Sequence, residues 1–346
     1  PPPSFVSFAT AGPPLCTHNM CDSSVYSGDM EWLERVLGGR DPDTVTAAEV
    51  SSGKIALPDG SSLRTGTFVA TPYNELVRRH AALGTATALR DRIGNTGGMR
   101  AKITIGRDVL RLMLDPTLTH DAVVQVASQF NALEAPAPAI VPVARYIRDR
   151  TQGPRAVMPA AAATLSRHLL HADFNALAPI PSLASRVRLG YLLWGHEVPE
   201  TPAEDVLDCI LIAHQEVEPD LSQQANIEHR VLQVFCASAP TRGSYGNVGN
   251  RERQDTLVLS LLHRQYRALF LLACERAVSR QARQRVFLTR VGGGVFSNPA
   301  SYFHRILQSL LHEFRDWPLD VSLEQYTKES DHGTVSQIMA TVDELP

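Results

Sequence analysis

The chain has 346 residues, 44% hydrophobic and 20% charged, which is the balance of a globular protein with one large or two ordinary domains. A net charge of −3 argues against a nucleic-acid binder dominated by phosphate contacts, so no direct nucleic-acid partner is expected. No apolar run reads as long enough to span a bilayer, and no signal sequence is legible beside the opening Pro-Pro-Pro run.

In chain order, residues 1–27 are rich in Pro, Ser, Thr and Gly and read as an extended arm. Within it, Cys16, His18 and Cys21 lie close together, but no second ligand pair stands at zinc spacing, so neither a metal nor another cofactor is expected. The five cysteines are an odd number, and Cys209, Cys236 and Cys274 have apolar neighbours. That reads as reduced thiols in a cytoplasmic chain, with the nucleus as the other compartment.

Residues 29–37 predict a short helix stopped by Gly38 and Gly39, and residues 43–63 a hairpin turning at Pro58-Asp59-Gly60. Residues 67–92 carry Leu76, Val77, Leu83 and Leu89 in a helical pattern, and residues 101–105 predict a strand. Residues 1–107 are therefore read as an N-terminal extension, an accessory layer on the core.

Residues 123–131, VVQVASQFN, place apolar side chains on both faces, as a strand covered by helices on both sides does. Gln129, Asn131 and Glu134 follow at its C-terminal end, where open α/β sheets bind their ligands. A proline-rich loop over 135–143 leads to Tyr146, Asp149, Thr151, Gln152, Gly153 and Pro154. Pro159 is costly inside a helix, so the next helix is expected to begin there and run to Leu170.

Beyond it, residues 188–194 predict a strand, 204–214 a helix and 230–237 a buried strand. A polar loop spans 241–250, and 252–280 read as a long helix, apolar nearly all round between Leu257 and Cys274. Residues 319–326 predict a last strand, followed by a polar tail over 331–346. Strands alternating with helices from about residue 120 imply an α/β fold, a mixed, mostly parallel sheet between helices.

Residues 285–314 draw the most attention. A buried strand over 285–291 runs into Gly292, Gly293 and Gly294, then Val295, Phe296, Ser297, Asn298 and Pro299; Phe303, Leu307, Leu310 and Phe314 recur at helical spacing. Asn298 is the expected N-cap and Pro299 the first helical residue. Glycines let backbone approach a ligand, and the free N–H groups of a helix start favour a phosphate. A tight strand-to-helix turn that binds nothing is the other reading, since the sixth position is Ser297 and not glycine.

GGGVFSNP resembles the GxGVFxNP loop with which macrodomains bind ADP-ribose, its variable positions being Gly293 and Ser297. QVASQFNALE, followed after the proline loop by YIRDRTQGP, resembles a MavL-type family of ADP-ribosylhydrolases in the poly(ADP-ribose) glycohydrolase mould. The segments stand in the same order and span residues 108–326, so the resemblance implies a macrodomain-like core over 108–330.

The resemblance further implies that Gly292, Gly293, Gly294, Val295 and Phe296, with Asn298 behind them, cradle the diphosphate and distal ribose. Thr151, Gln152 and Gly153 would supply backbone donors from the facing loop, and Gln129 and Asn131 would orient ribose hydroxyls. Breaking the ribosyl bond needs an acid for the leaving group and stabilisation of an oxocarbenium-like centre. Asp149 and Glu134 are the carboxylates in this stretch and hence the candidate catalytic residues, Asp149 first. Each has a structural alternative, Glu134 pairing with Arg145 or Arg148 and Asp149 capping the turn at Thr151.

The loop before Tyr146 lacks the acidic residues that the family carries there, which bears on hydrolysis more than on binding. The partner expected is ADP-ribose or an ADP-ribosylated protein. A reader of ADP-ribose without turnover stays open, as does a Rossmann-type dinucleotide enzyme with Asp320 as its ribose-binding acid. His168 and His171 read as surface residues before metal ligands, and Tyr191 and Trp194 as core residues before a base-stacking pair. No GxSxG, Walker A or HExxH pattern occurs.

Overall fold

The computed structural model describes residues 31–94, 97–194, 197–241 and 250–325. The N-terminal arm with Cys16, His18 and Cys21, the polar tail, and most of the 241–250 loop lie outside the described residues.

Eleven strands are described: β1 (Lys54–Ala56), β2 (Ser62–Arg64), β3 (Thr67–Pro72), β4 (Arg100–Ile105), β5 (Ala122–Ser128), β6 (Val187–Arg188), β7 (Tyr191–Leu192), β8 (Leu211–Val217), β9 (Val231–Ala237), β10 (Gln284–Leu288) and β11 (Leu319–Gln325). Seven form one sheet in the order β3-β8-β9-β5-β10-β11-β4. Strand β8 is antiparallel to both its neighbours, and the other pairings are parallel. The mixed, mostly parallel α/β sheet expected from the sequence is what the chain adopts.

Side-chain alternation explains the two cores. Strand β5 sends Val123 to one face and Val124 and Val126 to the other; β10 sends Val286 and Leu288 one way and Phe287 the other. One face is covered by the helices Arg251–Arg280, Ala300–Glu313 and Tyr73–Ala81, the other by Val109–Met113 and the alanine-rich helix Ala161–Leu170. By length and composition Arg251–Arg280 could cross a membrane, contrary to the expectation that no run would qualify, yet 78% of its most apolar window is buried. It is a core helix here.

Several boundaries are corrected. Strands β3 and β4 close the two edges of the sheet, so part of the stretch assigned to an N-terminal extension belongs to the sheet itself. Within 204–214 only Glu204–Leu207 is helical; β8 begins at Leu211, because pairing on both sides with β3 and β9 outweighs local preference. Likewise 67–92 opens with β3 before its helices, and 188–194 is a miniature hairpin of β6 and β7.

The helix ending at Leu170 starts earlier than expected, as Gln152–Val157, and passes through a 3-10 turn, Met158–Ala160, at Pro159. The break leaves the amides of Ala161 and Ala162 without helical partners, and the buried Asp220 carboxylate accepts from both.

Burial holds the His168 imidazole at about 3 and those of His214 and His229 at about 4, well below the ordinary histidine value. Between about pH 6.5 and pH 4 these three side chains therefore bind protons in the unfolded chain that they do not bind in the native one, so their contribution to stability is complete above this window and falls through it on acidification. The Tm is expected to drop between about pH 7 and about pH 5. His229, which bonds Thr119 Oγ1 at 2.9 Å and Ser222 Oγ at 2.8 Å, carries part of that slope. Thermal melts of His229→Gln across that range should show a shallower fall; an identical slope would contradict the assignment.

Candidate functional site

The crevice that matters lies between β5 and β10. From β5 the chain moves towards β8 and β9 with Gln152–Val157 and Ala161–Leu170 packed on one face. It returns through Arg251–Arg280 on the other face to lay β10 on the opposite side of β5. Such a reversal opens a gap at the carboxyl ends of the strands.

Strands β5 and β10 pair only at Val123 with Val286 and Val124 with Phe287. Beyond that point glutamine side chains replace the ladder. Gln152 Oε1 accepts from Ala127 N at 2.5 Å, and its Nε2 donates to Gln125 O at 2.7 Å. Gln125 Oε1 in turn accepts from Thr289 N at 2.8 Å. The Gln152 side chain is thus committed to β5, so only its backbone can serve a ligand.

The helix carrying Gln152 packs very closely: a Cβ on Gly153 would run into the Ala127 carbonyl oxygen. Its far side is tied by Arg155, which forms a two-pronged ion pair with Asp108, itself the N-cap of Val109–Met113. Thr151 is exposed, and its amide donates to Asp149 Oδ1 at 2.8 Å, so the cap of this turn is a role that Asp149 does fill. Asp149 is only partly buried.

Across the crevice runs the glycine loop. Tyr266 Oη donates to Thr289 O at 2.5 Å and accepts from Val291 N at 2.9 Å, clamping the loop where it leaves β10. Gly292 has a φ of +78°, and a Cβ there would lie 2.6 Å from Ser238 Oγ and 2.7 Å from Asn298 Nδ2. Only glycine fits. Gly294, by contrast, is exposed, with nothing within 4 Å of where its Cβ would stand. Val295 projects into solvent while Phe296 turns inward and meets Tyr191 edge-on, with ring centroids 5.8 Å apart.

Asn298 is not the N-cap expected. The cap position is Pro299 and the helix is Ala300–Glu313. Asn298 is buried instead, accepting from Thr241 N at 3.0 Å and Thr241 Oγ1 at 2.8 Å and donating to Ser238 Oγ and Ala239 O. These bonds tie the glycine loop to the end of β9. Asn298 supports the cradle from behind.

At the end of β5 the predicted residues separate. Gln129 Nε2 donates to Ala135 O at 3.2 Å, the same carbonyl that receives Tyr191 Oη at 2.7 Å. Its Oε1 is buried with no hydrogen-bond partner. Tyr191 also touches Phe296, so the carbonyl of Ala135 and the Tyr191 side chain link Gln129 to the glycine loop. Asn131 is turned inward: Oδ1 accepts from Leu133 N, and Gly190 presses on it so closely that no Cβ could be added there.

Glu134 is fully enclosed. Its partner is Arg167, at 3.1 Å and also fully buried, in place of the Arg145 or Arg148 considered above. Desolvation raises the Glu134 carboxyl above its ordinary range, and Arg167 opposes the rise. Arg167 also donates to Gln215 Oε1 and Ala132 O, while Tyr146 Oη bonds Glu134 N and His168 Nε2. His171 stacks on Phe68, and among the described residues no group of three or more metal-ligating side chains converges. Trp194 is core, its Nε1 donating to Pro240 O.

Gln152 and Gly153 thus pack on the end of β5 and Gly292–Phe296 follow the end of β10, Gln129 and Phe296 being bridged by Tyr191 and the carbonyl of Ala135, whereas Asn131, Glu134 and Asn298 are buried. Sequence reasoning missed Gln125, Gly190, Tyr266 and the Glu134 partner Arg167. Two carried a signal: a glutamine in an apolar strand and an arginine in an alanine-leucine helix are buried polar groups that require partners.

No family model matches the chain, and no curated protein matches it. Among solved structures it is similar to poly(ADP-ribose) glycohydrolase from Deinococcus radiodurans in complex with ADP-ribose, at 14% identity and a TM-score of 0.45 over 81% of this chain and 95% of that one. It is also similar to the poly(ADP-ribose) glycohydrolase from Thermomonospora curvata, at 13% identity and a TM-score of 0.41 over 85% of this chain and 97% of that one. Likeness this distant says nothing about individual residues. The chemistry of the crevice rests on its own atoms.

Proposed function

We propose that the chain binds ADP-ribose in the crevice between β5 and β10 and hydrolyses a ribosyl bond that joins it to a modified protein. The observation that carries this reading is the glycine loop. In GGGVFSNP, Gly292 is locked by its neighbours while Gly294 leaves a bare backbone face open beside the crevice. Backbone N–H groups on such a face suit a diphosphate. Gln129 Oε1, buried and unpaired, suits a ribose hydroxyl, since an unmet buried acceptor costs about 1–3 kcal/mol.

For hydrolysis, Asp149 is the candidate acid. Glu134, enclosed with Arg167, is assigned to holding the loop. A cytoplasmic setting belongs to the same proposal. Reading of ADP-ribose without turnover is the second reading, favoured by the bond that already engages Asp149 Oδ1. A Rossmann-type enzyme is weaker, because β11 alone follows the loop among the described strands.

The test is release of ADP-ribose from a labelled, mono-ADP-ribosylated protein. Wild type should release it, and Asp149→Ala should lose roughly 10²–10⁴-fold in rate while still binding ADP-ribose. Binding without release in the wild type would favour the reader, and release unchanged in Asp149→Ala would remove Asp149 from the chemistry.

A further inference from the structure

Arg290 stands between the two backbone positions clamped by Tyr266, Thr289 O and Val291 N, so the point where its side chain emerges is fixed. The side chain folds back along the glycine loop, its Nε occupying the space that a Cβ on Gly293 would take. The contact it makes there is poor, Nη2 lying 3.5 Å from Gly293 O. Among the described residues Arg290 forms no ion pair, although it is partly buried. A guanidinium held against bare backbone without a counter-ion is a place for an anion, because its five donors match phosphate oxygens in pairs.

We propose that Arg290 supplies the countercharge for the diphosphate of the ligand, making the glycine loop selective for a nucleoside diphosphate group over an uncharged sugar. This rests on the ADP-ribose reading above and adds to it a charged side chain where that reading had only backbone donors. The arginine swings from Gly293 O onto the phosphate oxygens, and the loop keeps its shape because Tyr266, Ser238 and Asn298 hold it independently.

Calorimetric titration of ADP-ribose, inorganic pyrophosphate and adenosine into wild type, Arg290→Gln and Arg290→Lys tests this. Arg290→Gln should weaken ADP-ribose and pyrophosphate by about 10- to 100-fold and flatten the salt dependence, leave any adenosine binding unchanged, and be partly rescued in Arg290→Lys. ADP-ribose bound equally well by Arg290→Gln, or adenosine weakened by the same factor, would overturn the assignment while leaving the functional reading in place. Pyrophosphate bound through Arg290 without any ADP-ribose binding would keep the anion site and sink the functional reading. Binding of neither would sink both.

Discussion

Gly294→Trp should abolish ADP-ribose binding and leave the fold untouched. The backbone at Gly294 is not left-handed, the residue is exposed, and no atom lies within 4 Å of the new Cβ. A surface substitution of this kind changes stability by about 0.5 kcal/mol or less. The indole would fill the space over the loop that the diphosphate requires, so Kd should rise at least 100-fold, about 2.7 kcal/mol. Gly292→Ala makes the contrast: its φ of +78° and the crowding by Ser238 and Asn298 predict a destabilised protein. Calorimetry and thermal melts on both variants check the pair. ADP-ribose binding that survives Gly294→Trp would mean the ligand does not lie on this face.

The largest stability effect is expected at Arg167. Arg167→Met leaves Glu134 buried without its countercharge and strips donors from Gln215 and Ala132 O. Breaking a buried pair from one side costs about 3–5 kcal/mol. In a domain of this size that corresponds to a fall of roughly 5–15 °C in Tm. Adding Glu134→Gln should restore part of the loss, because the uncompensated charge is gone. A single variant within about 1 kcal/mol of wild type, or a double variant no better than the single, would show that Glu134 is not held as a charged partner.

What the sequence made legible follows from burial. Strands β5, β9 and β10 carry apolar residues on both faces and β11 alternates Leu319, Val321 and Leu323 with polar residues, so they announced themselves, as did the long core helix. Strand β8 did not: its partly exposed face carries His214 and Glu216, and the short helix before it supplied a helical pattern that pairing with β3 and β9 overrode. The glycine loop was legible because Gly292 has no substitute at its φ and crowding. The role of Asn298 was not, since a cap and a brace to Thr241 call for the same side chain one residue before Pro299. Glu134 misled for a related reason: nothing local to it in sequence shows that Arg167, 33 residues on, folds over it.

The most direct measurement is calorimetric titration of ADP-ribose into the full chain, with NAD and AMP as competitors. Saturable binding of ADP-ribose that NAD and AMP displace only weakly is the predicted result. No binding of ADP-ribose, or a clear preference for NAD, would contradict the account and return the loop at Gly292–Phe296 to a dinucleotide site or a plain strand-to-helix turn.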